Sequence, residues 1–132
     1  EGDLIVIPEG STEPVITSPP VIVGTEKVWY TLGAIAGGVT GSPTPIRSWQ
    51  WQRSPNGLTW TNIDEAIAAT YTIVAADAGQ RLRVQQIETN VLDSVTSSSD
   101  PTGVIAASVF SDTIYQDIAP VTWGQLTVQT WN

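Results

Sequence analysis

Gln50, Gln52, Arg81, Arg83 and Gln85 are the side chains whose types and spacing first suggest a working surface. Gln50 and Gln52 alternate with Trp49 and Trp51; Arg81, Arg83 and Gln85 alternate with Leu82 and Val84. In extended backbone that spacing sends the amides and guanidiniums to one face and the apolar groups to the other. Amide and guanidinium groups recognise polar partners, glycan or protein, through directional hydrogen bonds, although the same pattern more often marks a solvated sheet face. The tryptophans form a second group, six in 132 residues. A flat indole stacks on the apolar face of a sugar ring, so Trp29, Trp49, Trp60, Trp123 and Trp131 are candidates for a glycan platform. The same rings fill cores and interfaces, burying about 150–250 Å² each. Trp51 is expected in the core, and Trp123 and Trp131 in a core or an interface. The candidate contact residues are therefore Trp49, Gln50, Gln52, Arg81, Arg83, Trp123 and Trp131.

Other chemistry is narrowly bounded. The chain has no histidine, cysteine or methionine. Ser-His-Asp and Cys-His catalysis are excluded, as are zinc sites built on His or Cys. Carboxylates in expected loops, among them Asp64, Glu65, Asp93, Asp100, Asp112 and Asp117, show no Asp-x-Asp or Asp-x-Asn spacing of a calcium loop. A small β-sandwich hydrolase using a carboxylate pair, as a glycosidase does, is the remaining catalytic option, but small sandwiches without a marked cleft rarely do this. The expectation is a protein without cofactor or metal that is not an enzyme. Thirteen acidic against five basic residues, a net charge of -8, repel phosphate backbones and argue against nucleic-acid binding. No stretch approaches the roughly 18 apolar residues of a membrane span, and no signal-peptide pattern stands at the start. Beginning at Glu1 rather than Met is expected of a processed chain or of a piece of a longer one.

The elements that must hold these residues are strands. Val, Ile, Thr, Trp and Tyr alternate with polar residues, and Gly, Pro, Asn or Ser interrupt about every 8–12 residues, the pattern of an all-β sandwich or barrel. Strands are expected at Leu4 to Ile7, Val21 to Val23, Lys27 to Ile35, Trp49 to Arg53, Leu58 to Ile63, Thr70 to Val74, Arg81 to Glu88 and Val95 to Ile105. Residues 8–20 read as an extended connection, and Gly37-Gly38 and Gly41 to Pro45 as loop. Ser54-Pro55-Asn56-Gly57 is a turn, because Pro55 presets φ and Gly57 or Asn56 supplies the positive φ that reverses the chain. Ala75 to Gly79 is a corner. Residues 106–132 carry further strand-like stretches.

Gly41-Ser42-Pro43-Thr44-Pro45, Trp49-Gln50-Trp51-Gln52-Arg53, Trp60, Ile63, Thr70-Tyr71-Thr72, Ala76-Asp77-Ala78-Gly79, Leu82-Arg83-Val84 and Thr89-Asn90, taken together, resemble the immunoglobulin-like modules of bacteriophage virion proteins and bacterial surface proteins. The resemblance covers about residues 20–105. It implies that Trp51 is a core residue, that Asp77 and Gly79 shape the turn into the next strand, and that the Gln and Arg stretches are neighbours presenting one outward face. Three positions depart from the pattern: the longer Ile63 to Thr70 stretch, Val91-Leu92-Asp93 where a Gly is expected, and Gln86 where an apolar residue is expected.

The expected architecture is thus an immunoglobulin-like antiparallel β-sandwich at 21–105, with an extended N-terminal arm at 1–20 and a C-terminal β extension at 106–132. The resemblance implies a non-catalytic structural or adhesive module on a virion surface, as capsid decoration or tail-associated protein. Its expected partners are other virion or surface subunits and host glycans, with homo-oligomers formed through the terminal arms. The alternative is a carbohydrate-binding or adhesion module of a bacterial surface or secreted protein.

Overall fold

The computed structural model describes Leu4 and residues 6–108. The expected C-terminal extension beyond Ser108, with Trp123 and Trp131, lies outside the described residues. Among the described residues nine strands run in chain order: β1 Thr12–Ile16, β2 Val21–Val23, β3 Thr31–Ile35, β4 Val39–Ser42, β5 Ile46–Ser54, β6 Thr61–Asn62, β7 Thr70–Thr72, β8 Arg81–Thr89 and β9 Ser94–Ser98. A single 3-10 turn, Ala75–Asp77, is the only helical element among the described residues. The strands form an all-β, antiparallel architecture of three sheets, ordered β2-β3-β7, β6-β5-β8-β9, and a β1-β4 pair. No helix among the described residues is long and apolar enough to cross a membrane.

The spine is the β5-β8 pair, nine residues in unbroken register from Ile46 opposite Thr89 to Ser54 opposite Arg81. Alternation puts Trp51, Leu82 and Val84 inward, all fully buried. Leu32 and Ile73 from the β3-β7 side, with Val28, Ile63, Ala66 and Ile105, complete the core. Burying an aliphatic side chain of this size contributes about 1.5–3 kcal/mol. Trp51 stacks on Tyr71 with centroids 5.6 Å apart, and its indole N–H donates to Ala68 O at 2.8 Å. The buried ring therefore leaves no polar atom unpaired.

The structure departs from the sequence reading at several places. Residues 12–16, expected as connection, form β1 and pair with β4, whose Gly41 and Ser42 belong to the stretch expected as loop. The strand expected from Lys27 begins only at Thr31, because Lys27 to Tyr30 is a turn closed by Tyr30 N–H to Lys27 O at 3.0 Å. The strand expected over Leu58 to Ile63 is reduced to Thr61–Asn62. The turn before it forms as read: Gly57 has φ +78°, Ser54 Oγ accepts from Asn56 N and Gly57 N, and Asn56 Oδ1 accepts from Leu58 N and Thr59 N. Past β9 the chain continues to track β8 and its approach, with Ser99 N to Val84 O, Thr102 N to Leu82 O and Ile105 N to Gln80 O.

Candidate functional site

On the outward side of β5 and β8, Gln50 stands opposite Gln85, Gln52 opposite Arg83, and Ser54 opposite Arg81. The expected Gln/Arg face is therefore assembled by strand pairing. Its side chains are fixed by one another. Gln52 Nε2 donates to Asn62 Oδ1 on β6 at 2.7 Å, and Gln52 Oε1 accepts from Arg83 Nε at 2.7 Å. The Arg83 guanidinium lies over the Trp60 ring, 4.5 Å from its centroid. A cation–π contact between partly exposed groups contributes about 0.5–1 kcal/mol. Burial holds the Arg83 guanidinium below its ordinary pKa. Three strands are thus tied by one hydrogen-bonded row, Asn62–Gln52–Arg83, capped by an indole.

The other face residues are also engaged. Gln50 Nε2 donates to Trp51 O at 2.8 Å and Ile63 O at 3.0 Å, fastening the turn that leads out of β6. Gln85 Nε2 reaches Ser98 Oγ on β9 at 3.3 Å. Arg81 Nη1 donates to Thr102 O at 3.3 Å at the end of the face. Trp49 is not part of this surface: it stands opposite Gln86 on the inner side, half-buried against the core. Among the described residues Trp60, expected only as a platform candidate, is the tryptophan that joins the face. Guanidinium, amide and hydroxyl groups do not change charge near neutral pH, so the chemistry this face offers is hydrogen bonding and orientation.

The inner side of the same two strands holds charges that the sequence reading did not assign. Arg47, Trp49, Trp51 and Arg53 alternate inward along β5, with an arginine at each end. Arg53 Nε meets Asp77 Oδ1 at 2.7 Å, and Asp77 is fully buried. Asp77 Oδ2 also accepts from Tyr71 OH at 2.6 Å and Val74 N at 3.0 Å. Burial, reinforced by the bond to Asp77, pushes the Tyr71 hydroxyl up to about 12. Burial by itself would lower the Arg53 pKa, but the bond and charge of Asp77 outweigh it and raise the value.

At the opposite end Arg47 pairs with Glu88, which is also buried. Gln86, the residue standing where an apolar one was expected, is fully buried beside them. Its Nε2 donates to Glu88 Oε2 at 2.8 Å and Gly37 O at 3.3 Å, and its Oε1 accepts from Gly37 N at 2.8 Å. Gln86 thus fastens the 36–38 loop to β8 without disturbing the register. A signal for these pairs was present: an arginine on the inward face of a strand needs a buried acceptor. Which carboxylate answers it depends on contacts 24 and 41 residues away.

No protein-family model matches the chain, and no curated protein matches its sequence.

Proposed function

We propose that this chain is a non-catalytic immunoglobulin-like module serving a structural or adhesive role at a bacteriophage virion surface, as capsid decoration or tail-associated subunit. The strand order carries the reading. One sheet is β2-β3-β7 and the other β6-β5-β8-β9. Leaving aside the β1-β4 pair, the second strand of the sandwich pairs with the first and the fifth, and the third with the fourth and the sixth. An immunoglobulin-type sandwich likewise sets its second strand between the first and the fifth and pairs its third with the sixth; in the constant type its fourth joins the first sheet, whereas here it lies beside the third. The resemblance over residues 20–105 supplies the virion setting. The internally braced Gln/Arg face supports a contact role, because side chains already fixed in place lose little conformational freedom on binding.

Particles of the phage whose genome encodes the chain provide the test. Mass spectrometry of washed particles is expected to find it in many copies per particle, with immunogold label on the outside. Absence from purified particles overturns the reading.

One observation favours the alternative of a glycan-binding adhesion module. Trp60, Arg83, Gln52 and Asn62 form a preset aromatic and hydrogen-bonding cluster on one face. A glycan array settles this: binding lost in Trp60→Ala favours the adhesion module, and no binding by the unaltered protein removes it.

A further inference from the structure

Trp29 has a backbone that a tryptophan rarely adopts. It is the third residue of the turn closed by Tyr30 N–H to Lys27 O, and its φ is +79°. Gly or Asn normally fills such a position, because a Cβ collides with neighbouring backbone there. Holding an L-residue in this region costs about 1–2 kcal/mol. The conformation is held from both sides: Trp29 N donates to Ile73 O at 2.9 Å, Ile73 N returns a bond to Tyr30 O, and Val28 N donates to Ala106 O. The strained residue nevertheless does not use its side chain for the core. Trp29 is 62 % exposed and the adjoining Tyr30 is 50 % exposed.

Beside this indole lies a groove of about 290 Å³, lined by Val28, Trp29, Ala75, Ala78, Ala107 and Ser108. It sits at the lower edge of the roughly 300–1,000 Å³ typical of small-molecule sites, which also present several placed polar groups. Here Ser108 supplies the single polar side chain, and three alanines leave a hollow suited to one large apolar side chain. A knob next to its own hole is the arrangement a two-fold axis can satisfy, since each copy then fills the other's hollow. The charge distribution points the same way. No lining residue is charged, so an indole enters the groove without desolvating a charge.

We propose that Trp29 is the anchor of a two-fold contact between two copies of this chain, its indole seated in the Val28/Ala75/Ala78/Ala107 groove of the other copy. The contact lies away from the Gln/Arg face and does not depend on the virion reading. Burial of the exposed indole in the partner offsets the cost of the strained turn.

Sedimentation velocity of the full chain across a wide concentration range tests the proposal. Wild type is expected to show a concentration-dependent dimer. Trp29→Gly removes the anchor and relieves the strain, so it is expected to fold at least as stably. Its dimer dissociation constant should rise by at least about 100-fold, because two anchors are lost at once. Ala75→Arg, which places a charge at the exposed wall of the groove, is expected to have the same effect while the far-UV circular dichroism stays unchanged. A photo-crosslinking residue at position 29 of the full chain identifies the occupant. Dimer-sized products joined to the segment around Ala75 and Ala78 are expected. Monomer-sized products joined to residues 109–132 assign the groove to the chain's own C-terminal segment and overturn the proposal. A wild type monomeric at every concentration, or a dimer untouched by both substitutions, overturns it as well.

Discussion

Arg53 and Asp77 meet inside the sandwich, Nε to Oδ1 at 2.7 Å, across 24 residues of chain. The same carboxylate accepts the Tyr71 hydroxyl and the Val74 N–H. One buried group therefore joins β5, β7 and the corner before β8. Removing one member of a buried, hydrogen-bonded pair leaves the other uncompensated and costs about 3–5 kcal/mol. Asp77→Ala is expected to lose about 3 kcal/mol in urea denaturation, with the partial exposure of Arg53 holding the loss to the low end of that range. Tyr71→Phe, which removes one of three donors, should lose about 1 kcal/mol. An Asp77→Ala variant within about 1 kcal/mol of wild type is incompatible with a structural role for this cluster.

Stability is expected to fall in strong alkali. The Tyr71 hydroxyl ionises near its ordinary 10.0 in the unfolded chain and at about 12 in the folded one. Between those values the folded state holds a proton that the unfolded state has released. The contribution is complete below pH 10 and is lost as pH rises through 12. Melting temperatures measured from pH 9 to 12 should decline more steeply for wild type than for Tyr71→Phe. Parallel curves would remove Tyr71 as the source.

Gly37 and Gly79 are both glycines for different reasons, and alanine should separate them. At Gly79, φ is +82° and a Cβ would meet nothing within 4 Å. Alanine there bears only the conformational cost, about 1–2 kcal/mol. At Gly37 a Cβ would sit 1.7 Å from the backbone carbonyl oxygen of Ser18, so the loop must move and the Gln86 bonds with it. Gly37→Ala is expected to cost about 3 kcal/mol. Thermal melts giving the reverse order would contradict the close approach of these two loops.

Gln86→Leu places an apolar residue at the position where the sequence pattern expects one. It also strips partners from Gly37 N–H, Gly37 C=O and Glu88. Unpaired buried polar groups cost about 1–3 kcal/mol each, which outweighs the gain in apolar burial. A net loss of about 2 kcal/mol is expected in chemical denaturation. A stabilised variant would show that the loop contact is dispensable.

The β5-β8 pair was largely legible in the residues. The alternation of Trp49, Trp51, Leu82 and Val84 against Gln50, Gln52, Arg81 and Arg83 describes a two-faced strand, because side chains project with a period of two. The Ser54 to Gly57 turn and the Ala75 to Gly79 corner were legible for the same local reason: few residues tolerate the required φ. Strand β1 was not legible, since Thr12 to Ile16 contains Pro14 and pairs only at β4 with a register shift. The Lys27 to Tyr30 turn was hidden by β-forming residues, Val28, Trp29 and Tyr30, whose local preference is overridden by bonds to Ile73 and Ala106.

By itself the sequence determined an all-β chain, which residues of the central strands face inward, and a chemistry confined to carboxylates, hydroxyls, amides and few cations. These follow from composition and from short-range periodicity. Tertiary structure alone decided that Arg53 answers Asp77, that Arg47 answers Glu88, that Gln86 holds Gly37, and that Trp29 is turned outward beside an alanine groove. Each of these depends on contacts between residues distant in the chain. An inward arginine demands a carboxylate, but only the packing of strands selects which carboxylate lies within 3 Å.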